Sequence, residues 1–379
     1  MLQACGSGSG GTPPDSGLDA DGALPDSGDP GTDRADLDEP GAEDGDGGGP
    51  ADAGRDAGND SDVDAGGDPG DSDGDAADAG GPLAFVAVTF NTGIHPTVGS
   101  NGFTVQMDQH LDTYYGHGLV WGPAIDEARA FFDSVQPDVV ALQEFFDIEE
   151  CADIPPEARE GFVCENWTPG SPTLTEIVLG PGYQLACNLE KSDKCAAVKR
   201  SFGTFVGCSA DTCLDGLFGS EIDGCGNGAR IGRGVIELAG SGTITLVNIH
   251  GSSGVSGDDM DCRVKQIEQV FIDLGDGDPA ANGLRNLVMG DFNTDPRSAT
   301  AVLADASARR WNDFVGSDQP FDFVNEYVKT YLNLFCIDNV VSDELTGTCW
   351  YPGHTAGHPP VSPDNNFDHT PTVCDITLP

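Results

Sequence analysis

The chain has 379 residues and carries 64 acidic against 17 Lys and Arg side chains, a formal net charge of −47. Residues 1–81 hold 22 acidic and 2 basic side chains, which leaves −27 for the remainder. That balance excludes a protein that grips a polyanion through a broad basic surface, because few cations are available to displace counterions.

Residues 1–81 are Asp, Gly, Ala, Pro and Ser with almost no Val, Ile, Leu or Phe. Such a segment cannot bury enough apolar surface to offset its ordering entropy, so we expect a disordered tail and linker. As a flexible coil it would span roughly 50 Å. At its start, Leu2-Gln3-Ala4-Cys5 resembles the end of a bacterial lipoprotein signal, in which the Cys is lipidated. No charged and apolar leader precedes it. Asp71-Ser72-Asp73-Gly74-Asp75 opens like a calcium loop, but Pro82 stands where the bidentate Glu would be needed, so we read a charged linker. No run of about 18 apolar residues offers a membrane span.

Residues 82–379 have ample Val, Leu, Ile and Phe for one catalytic-sized domain. Leu83 to Phe90 reads as a buried first strand, Pro123 to Val135 as an amphipathic helix, and Asp138 to Leu142 as a second strand. Residues 146–232 read as loop-rich, with short strands at Tyr183 to Cys187 and Thr204 to Gly207. Gly234 to Leu238 and Thr243 to Ile249 form a hairpin across Ala239-Gly240-Ser241-Gly242. A helix over Cys262 to Leu274 and strands at Asn286 to Met289, Phe335 to Val341 and Val373 to Leu378 complete the chain. Hairpins mixed with helices favour two packed sheets with helices outside over a doubly wound parallel sheet.

Twelve cysteines bear on the compartment. Eleven lie between Cys151 and Cys374, several close together: Cys151 and Cys164, Cys187 and Cys195, Cys208 and Cys213, Cys336 and Cys349. With no paired C-x2-C spacing and no accompanying His, this reads as a disulfide framework in an oxidising compartment, not a zinc cluster. The odd count leaves one thiol free, paired elsewhere or paired with Cys5, and the connectivity is not readable from sequence.

Polar side chains recur at strand ends: Asn91, Glu144, His250, Asp291 with Asn293, Asp338, and Asp368-His369. Each alone has a plainer reading, as a turn residue, a solvated charge or a satisfied core histidine. Together they suit phosphodiester hydrolysis, which needs an activated water, charge at the phosphoryl oxygens and a proton for the leaving oxygen. In order, Phe90-Asn91, Pro137-Asp138-Val139-Val140-Ala141-Leu142-Gln143-Glu144, Asn248-Ile249-His250, Gly290-Asp291-Phe292-Asn293, Ile337-Asp338-Asn339 and Asp368-His369 resemble the motif set of the deoxyribonuclease I-like endonuclease/exonuclease/phosphatase superfamily.

That resemblance implies a four-layer α/β/β/α sandwich of two mixed sheets. It implies that Asn91, Glu144 and Asp368 hold Mg²⁺, Mn²⁺ or Ca²⁺. Asp291 and Asn293 would then activate water, His369 oriented by Asp338 would meet the phosphate, and His250 would contact it or protonate the leaving group. Arg233 would bind substrate. Three roles compete: an extracellular or surface-tethered nuclease, which we prefer; a sphingomyelinase-like phospholipase, to which Trp350-Tyr351 would lend an interfacial contact; and a non-catalytic surface lipoprotein, against which the complete residue set argues. A soluble small-phosphoester phosphatase is a lesser alternative. We expect a monomer. The cluster of Lys191, Lys194, Lys199 and Arg200 is the one basic feature that could face nucleic acid, and it reads more simply as a solvated face.

Overall fold

The computed structural model describes residues 83–240 and 242–378; the tail and Cys5 lie outside them. The strands are β1 (Ala84–Asn91), β2 (Val139–Gln143), β3 (Tyr183–Asn188), β4 (Lys191–Lys199), β5 (Gly203–Phe205), β6 (Thr212–Leu217), β7 (Ile231–Leu238), β8 (Thr243–His250), β9 (Asn286–Asp291), β10 (Asp322–Phe323), β11 (Asp338–Ser342), β12 (Thr346–Trp350) and β13 (Thr372–Thr377). The α-helices are α1 (Val105–His110), α2 (Gly122–Val135), α3 (Leu174–Leu179), α4 (Gly257–Phe271), α5 (Ala299–Ala304) and α6 (Ala306–Trp311).

Two mixed sheets result. One runs β12-β13-β1-β2-β4-β3-β6, the other β10-β11-β9-β8-β7-β5. The period of two along each strand divides the core into three. On β8, Ile244 and Leu246 face the other sheet, where they share a core with Ala87, Val139 and Ile376, and Met289 of the adjacent β9 joins them from their own sheet. Val247 and Ile249 point outward instead, onto Ile267 and Val270 of α4 and Trp311 of α6. The first sheet likewise buries Val88, Phe90 and Leu142 under Phe131 and Phe132 of α2. This is the expected α/β/β/α sandwich.

Several boundaries differ from expectation. Helix α4 begins five residues before Cys262, because Ser256 caps it and Asp259 returns the bond to the Ser256 N–H. Phe335 to Ile337 do not join β11, and Phe335 stands 47% exposed. Residues 146–232 are far more structured than expected. Strand β4 sits between β2 and β3, with Cys195 to Val198 buried, although its Ala, Lys and Asp content gives it little strand propensity. Tertiary burial outweighs propensity there.

The short-range pairs Cys151–Cys164, Cys187–Cys195 and Cys208–Cys213 are disulfides. Cys349 bonds to Cys374 on the neighbouring strand, not to Cys336, and Cys225 bonds to Cys262. Among the described residues Cys336 is the free thiol, and it is buried. Trp350 and Tyr351 are not interfacial: Tyr351 is buried and Trp350 stacks on His358. The basic cluster does not form an open stripe either. Lys194 is buried against Asp193, and Arg200 pairs with Asp211.

Candidate metal centre and active site

Strand register gathers the polar residues on one rim of the sandwich. In the second sheet His250 pairs with Asp291 across the parallel β8·β9 ladder, and Asp291 pairs with Asp338 across β9·β11. In the first sheet Asn91 pairs with Gln143, immediately before Glu144. Hydrogen bonds tie the sheets together here, among them Gln143 Nε2 donating to Asn248 Oδ1 at 2.7 Å and Asn91 Nδ2 donating to Asp291 Oδ2 at 3.0 Å.

Backbone conformation aims the side chains. Glu144 has φ +59°, a left-handed state unusual for Glu, which turns the chain out of β2. Gly290, before Asp291, could not carry a side chain, since a Cβ would collide with the Ile249 carbonyl oxygen. The Asn293 N–H donates to Asp291 Oδ1 at 2.7 Å, and its side-chain amide donates to Asp291 Oδ2 at 3.1 Å and to the Gly251 carbonyl at 3.0 Å. Arg263 and Gln266 on α4 brace the loop after His250 through Ser252 and Gly254.

Three subsets follow. In the first, Asp338 Oδ2 lies 2.8 Å from His369 Nδ1, and His369 Nε2 lies 3.8 Å from Asp291 Oδ2. Burial alone would depress the His369 imidazole, but Asp338, Asp368 and Asp291 raise it well above its ordinary range. These three side chains offer ligand atoms within 4.8 Å of one another. An imidazole that keeps its proton, hydrogen-bonded to Asp338 on one side and facing the Asp291 carboxyl on the other, makes an ion-paired relay and not a cation site.

In the second, Glu144 Oε1 accepts from Asn91 Nδ2 at 3.0 Å and lies 3.3 Å from His250 Nε2. Burial works to raise Glu144, yet the His250 hydrogen bond, the charges of His250 and His369, and the Asn91 amide hold it down to about 2. Burial and the nearby Lys194 lower His250. The third subset is Asp368, pushed up to about 7 by burial, with Glu144 adding to the rise against His369. Asp291 is also pushed up to about 7, by burial first and by Asp338 against the pull of His369.

The donors fit a hard divalent cation. Asp368 Oδ1 is buried without a hydrogen-bond partner. A Cβ on Gly93 would collide with Glu144 Oε2 and stand 2.9 Å from Asp368 Oδ1, so these oxygens converge on the space that Gly93 leaves open. One or two carboxylates of this kind are what Mg²⁺ or Mn²⁺ requires. Asn91 plays a different part in this geometry. Its carbonyl accepts from the Gly93 N–H at 3.0 Å, and its amide holds Glu144 and Asp291.

Arg233 is not brought to this cluster. Its guanidinium turns to the helix-facing side of β7, against Asp276, the Pro279 carbonyl and the Phe218 ring. Arg230, at the rim end, contributes the carbonyl that accepts the His250 N–H. Two residues that the sequence reading passed over do belong here. His95 Nε2 lies 3.6 Å from Asp368 Oδ2, and the Tyr331 ring packs 4.7 Å from that of His369. An imidazole four residues past Asn91, flanked by Gly93 and Pro96 at the end of a buried strand, was the available signal.

No family model and no curated protein matches the sequence. Solved structures do. A functionally unknown conserved protein from Enterococcus faecalis V583 aligns at 11% identity over 78% of this chain and 100% of its own, TM-score 0.46. An endonuclease/exonuclease/phosphatase family protein from Bacteroides thetaiotaomicron aligns at 13% identity over 79% and 96%, TM-score 0.44. A Beutenbergia cavernae endonuclease/exonuclease/phosphatase aligns at 15% identity over 78% and 72%, TM-score 0.45.

Proposed function

We propose that the chain is a divalent-metal-dependent phosphodiester hydrolase acting outside the cytoplasm. The convergence of Glu144, Asp368, the Asp291–Asn293 pair and the Asp338–His369 pair on one rim carries this reading. When bound by Glu144 and Asp368, a divalent cation supplies positive charge at a phosphoryl oxygen. His369, held protonated and oriented by Asp338, donates to a second phosphoryl oxygen. Asp291 has a carboxyl near neutrality and takes the proton of the attacking water, which Asn293 helps to place. His250 stands beside Glu144 to hydrogen-bond the leaving oxygen. Five disulfides suit an oxidising compartment, and no helix among the described residues is long and apolar enough to cross a membrane. Cys5 would be the lipid-attachment point of a monomeric, surface-tethered enzyme.

Nucleic acid is the substrate we infer from the sequence. A phospholipid substrate is the second reading, and one observation favours it. The turn after Tyr331 exposes Leu332 (52%), Leu334 (58%) and Phe335 (47%), with Tyr331 against His369. The test is turnover of plasmid DNA, sphingomyelin vesicles and bis(p-nitrophenyl) phosphate with Mg²⁺, Mn²⁺, Ca²⁺ or EDTA, in the wild type and in His369→Ala and Glu144→Gln. Metal-dependent turnover that falls ~10²-fold or more in both variants is expected. Activity that survives both EDTA and His369→Ala would sink the proposal. The preferred substrate then decides between the two readings.

A further inference from the structure

His95 has no part in the mechanism above, yet the fold holds it firmly. Its N–H donates to the Asn366 carbonyl at 2.9 Å, and the buried Ile94 before it donates to the His117 carbonyl at 2.8 Å. The Asp368 N–H in turn reaches the Gly93 carbonyl at 3.3 Å. The segments 93–95 and 366–368 are therefore clamped together, and Asp368 and His95 arrive side by side.

The ring itself is also placed. It stacks on His117 with centroids 4.5 Å apart and planes 22° from parallel. His117 is fixed in turn, with Nδ1 3.4 Å from the Ile94 carbonyl and Nε2 3.5 Å from Asp112. The free edge of His95 then presents Nε2 at 3.6 Å from Asp368 Oδ2, beyond hydrogen-bonding distance. Asp368 leaves its other oxygen, Oδ1, buried and unpartnered, with 9% of the side chain exposed. That oxygen lies across the Gly93 gap from Glu144 Oε2. Two donors bound to one ion at about 2.0–2.2 Å stand roughly 3 Å apart when adjacent, so a small side-chain adjustment brings the nitrogen and carboxylate into one coordination sphere.

We propose that His95 Nε2 is a ligand of the cation held by Glu144 and Asp368. A nitrogen donor selects for first-row transition ions over Mg²⁺ and Ca²⁺, which favour oxygen. The centre is then a mixed nitrogen–oxygen site that prefers Mn²⁺ to Mg²⁺. This rests on the metal reading of the site given above.

The experiment is Mn²⁺ binding by the intact chain, followed by electron paramagnetic resonance with spin-echo detection of ¹⁴N coupling, and by Mg²⁺ competition. Wild type, His95→Ala and His250→Ala are compared, with circular dichroism to show that each is folded. We expect imidazole ¹⁴N coupling in wild type and His250→Ala. In His95→Ala the coupling should vanish, Mn²⁺ affinity should fall tenfold or more, and Mg²⁺ affinity should change little. Coupling and affinity that persist in His95→Ala would overturn the proposal, as would Mn²⁺ bound in wild type without nitrogen coupling. If wild type binds neither ion, the metal reading itself fails and takes this inference with it. An unfolded His95→Ala is replaced by His95→Gln, which keeps polar volume but offers no imidazole.

Discussion

Gly93 is the residue on which the metal reading is most sharply testable. The atoms that a Cβ there would strike are the outer ends of two side chains, which can swing aside without disturbing the backbone. Gly93→Ala should leave the unfolding free energy of the metal-free protein within about 1 kcal/mol of wild type, since nothing in the core is displaced. Divalent-metal affinity, read by calorimetry, should fall by ~10-fold or more, because the carboxylates are pushed off their common point. Unchanged affinity would mean that Glu144 and Asp368 do not share an ion. This position also shows where sequence reading stops. Glu144, Asp291 and His369 are legible because each ends a recognisable strand or motif. Gly93 and His95 act through the approach of residues 366–368, a contact more than 270 positions away that no local pattern announces.

The turn over Tyr331–Phe335 poses a separate question. Leu332 and Asn333 both have positive φ, and the Leu334 N–H closes the turn onto the Tyr331 carbonyl at 2.8 Å. Asn tolerates that conformation, whereas Leu holds it at a cost of roughly 1 kcal/mol. A strained leucine displayed to solvent beside His369 suggests selection for an apolar tip. In the double variant Leu332→Asn/Leu334→Ser, stability should stay level or rise by up to about 1 kcal/mol. Turnover of sphingomyelin vesicles should drop several-fold while soluble bis(p-nitrophenyl) phosphate is hydrolysed as before. Equal effects on both substrates would remove the support for a lipid. The strands that sandwich the core were readable from their apolar runs. Strands β4 and β12 were not, since β4 is rich in Lys, Asp and Ala and β12 has only Trp350 as a large apolar residue among Thr, Gly and Cys. They become strands through pairing with buried neighbours. Phe335 reads as strand from its apolar character, yet it lies outside β11 and is exposed.

Across the whole molecule the disulfides tie irregular segments to the sandwich. Cys225–Cys262 spans 37 positions and anchors the loop before β7 to α4. Opening it with Cys225→Ser/Cys262→Ser should lower the denaturant-unfolding free energy by about 2–4 kcal/mol; a loss near zero would show that α4 packing alone secures that loop. The site depends on both sheets at once, since Asn91 and Asp291 meet across the seam. The described chain also enters and leaves at one place. Leu378 donates to the Leu83 carbonyl at 2.8 Å, and β1 runs from there to the rim at Asn91, about 23 Å away. Any anchor ahead of Leu83 would therefore join the domain at the end opposite the rim. A coil as long and flexible as the one expected before Leu83 would leave that rim free to swing toward the anchoring layer or toward molecules arriving from the surroundings.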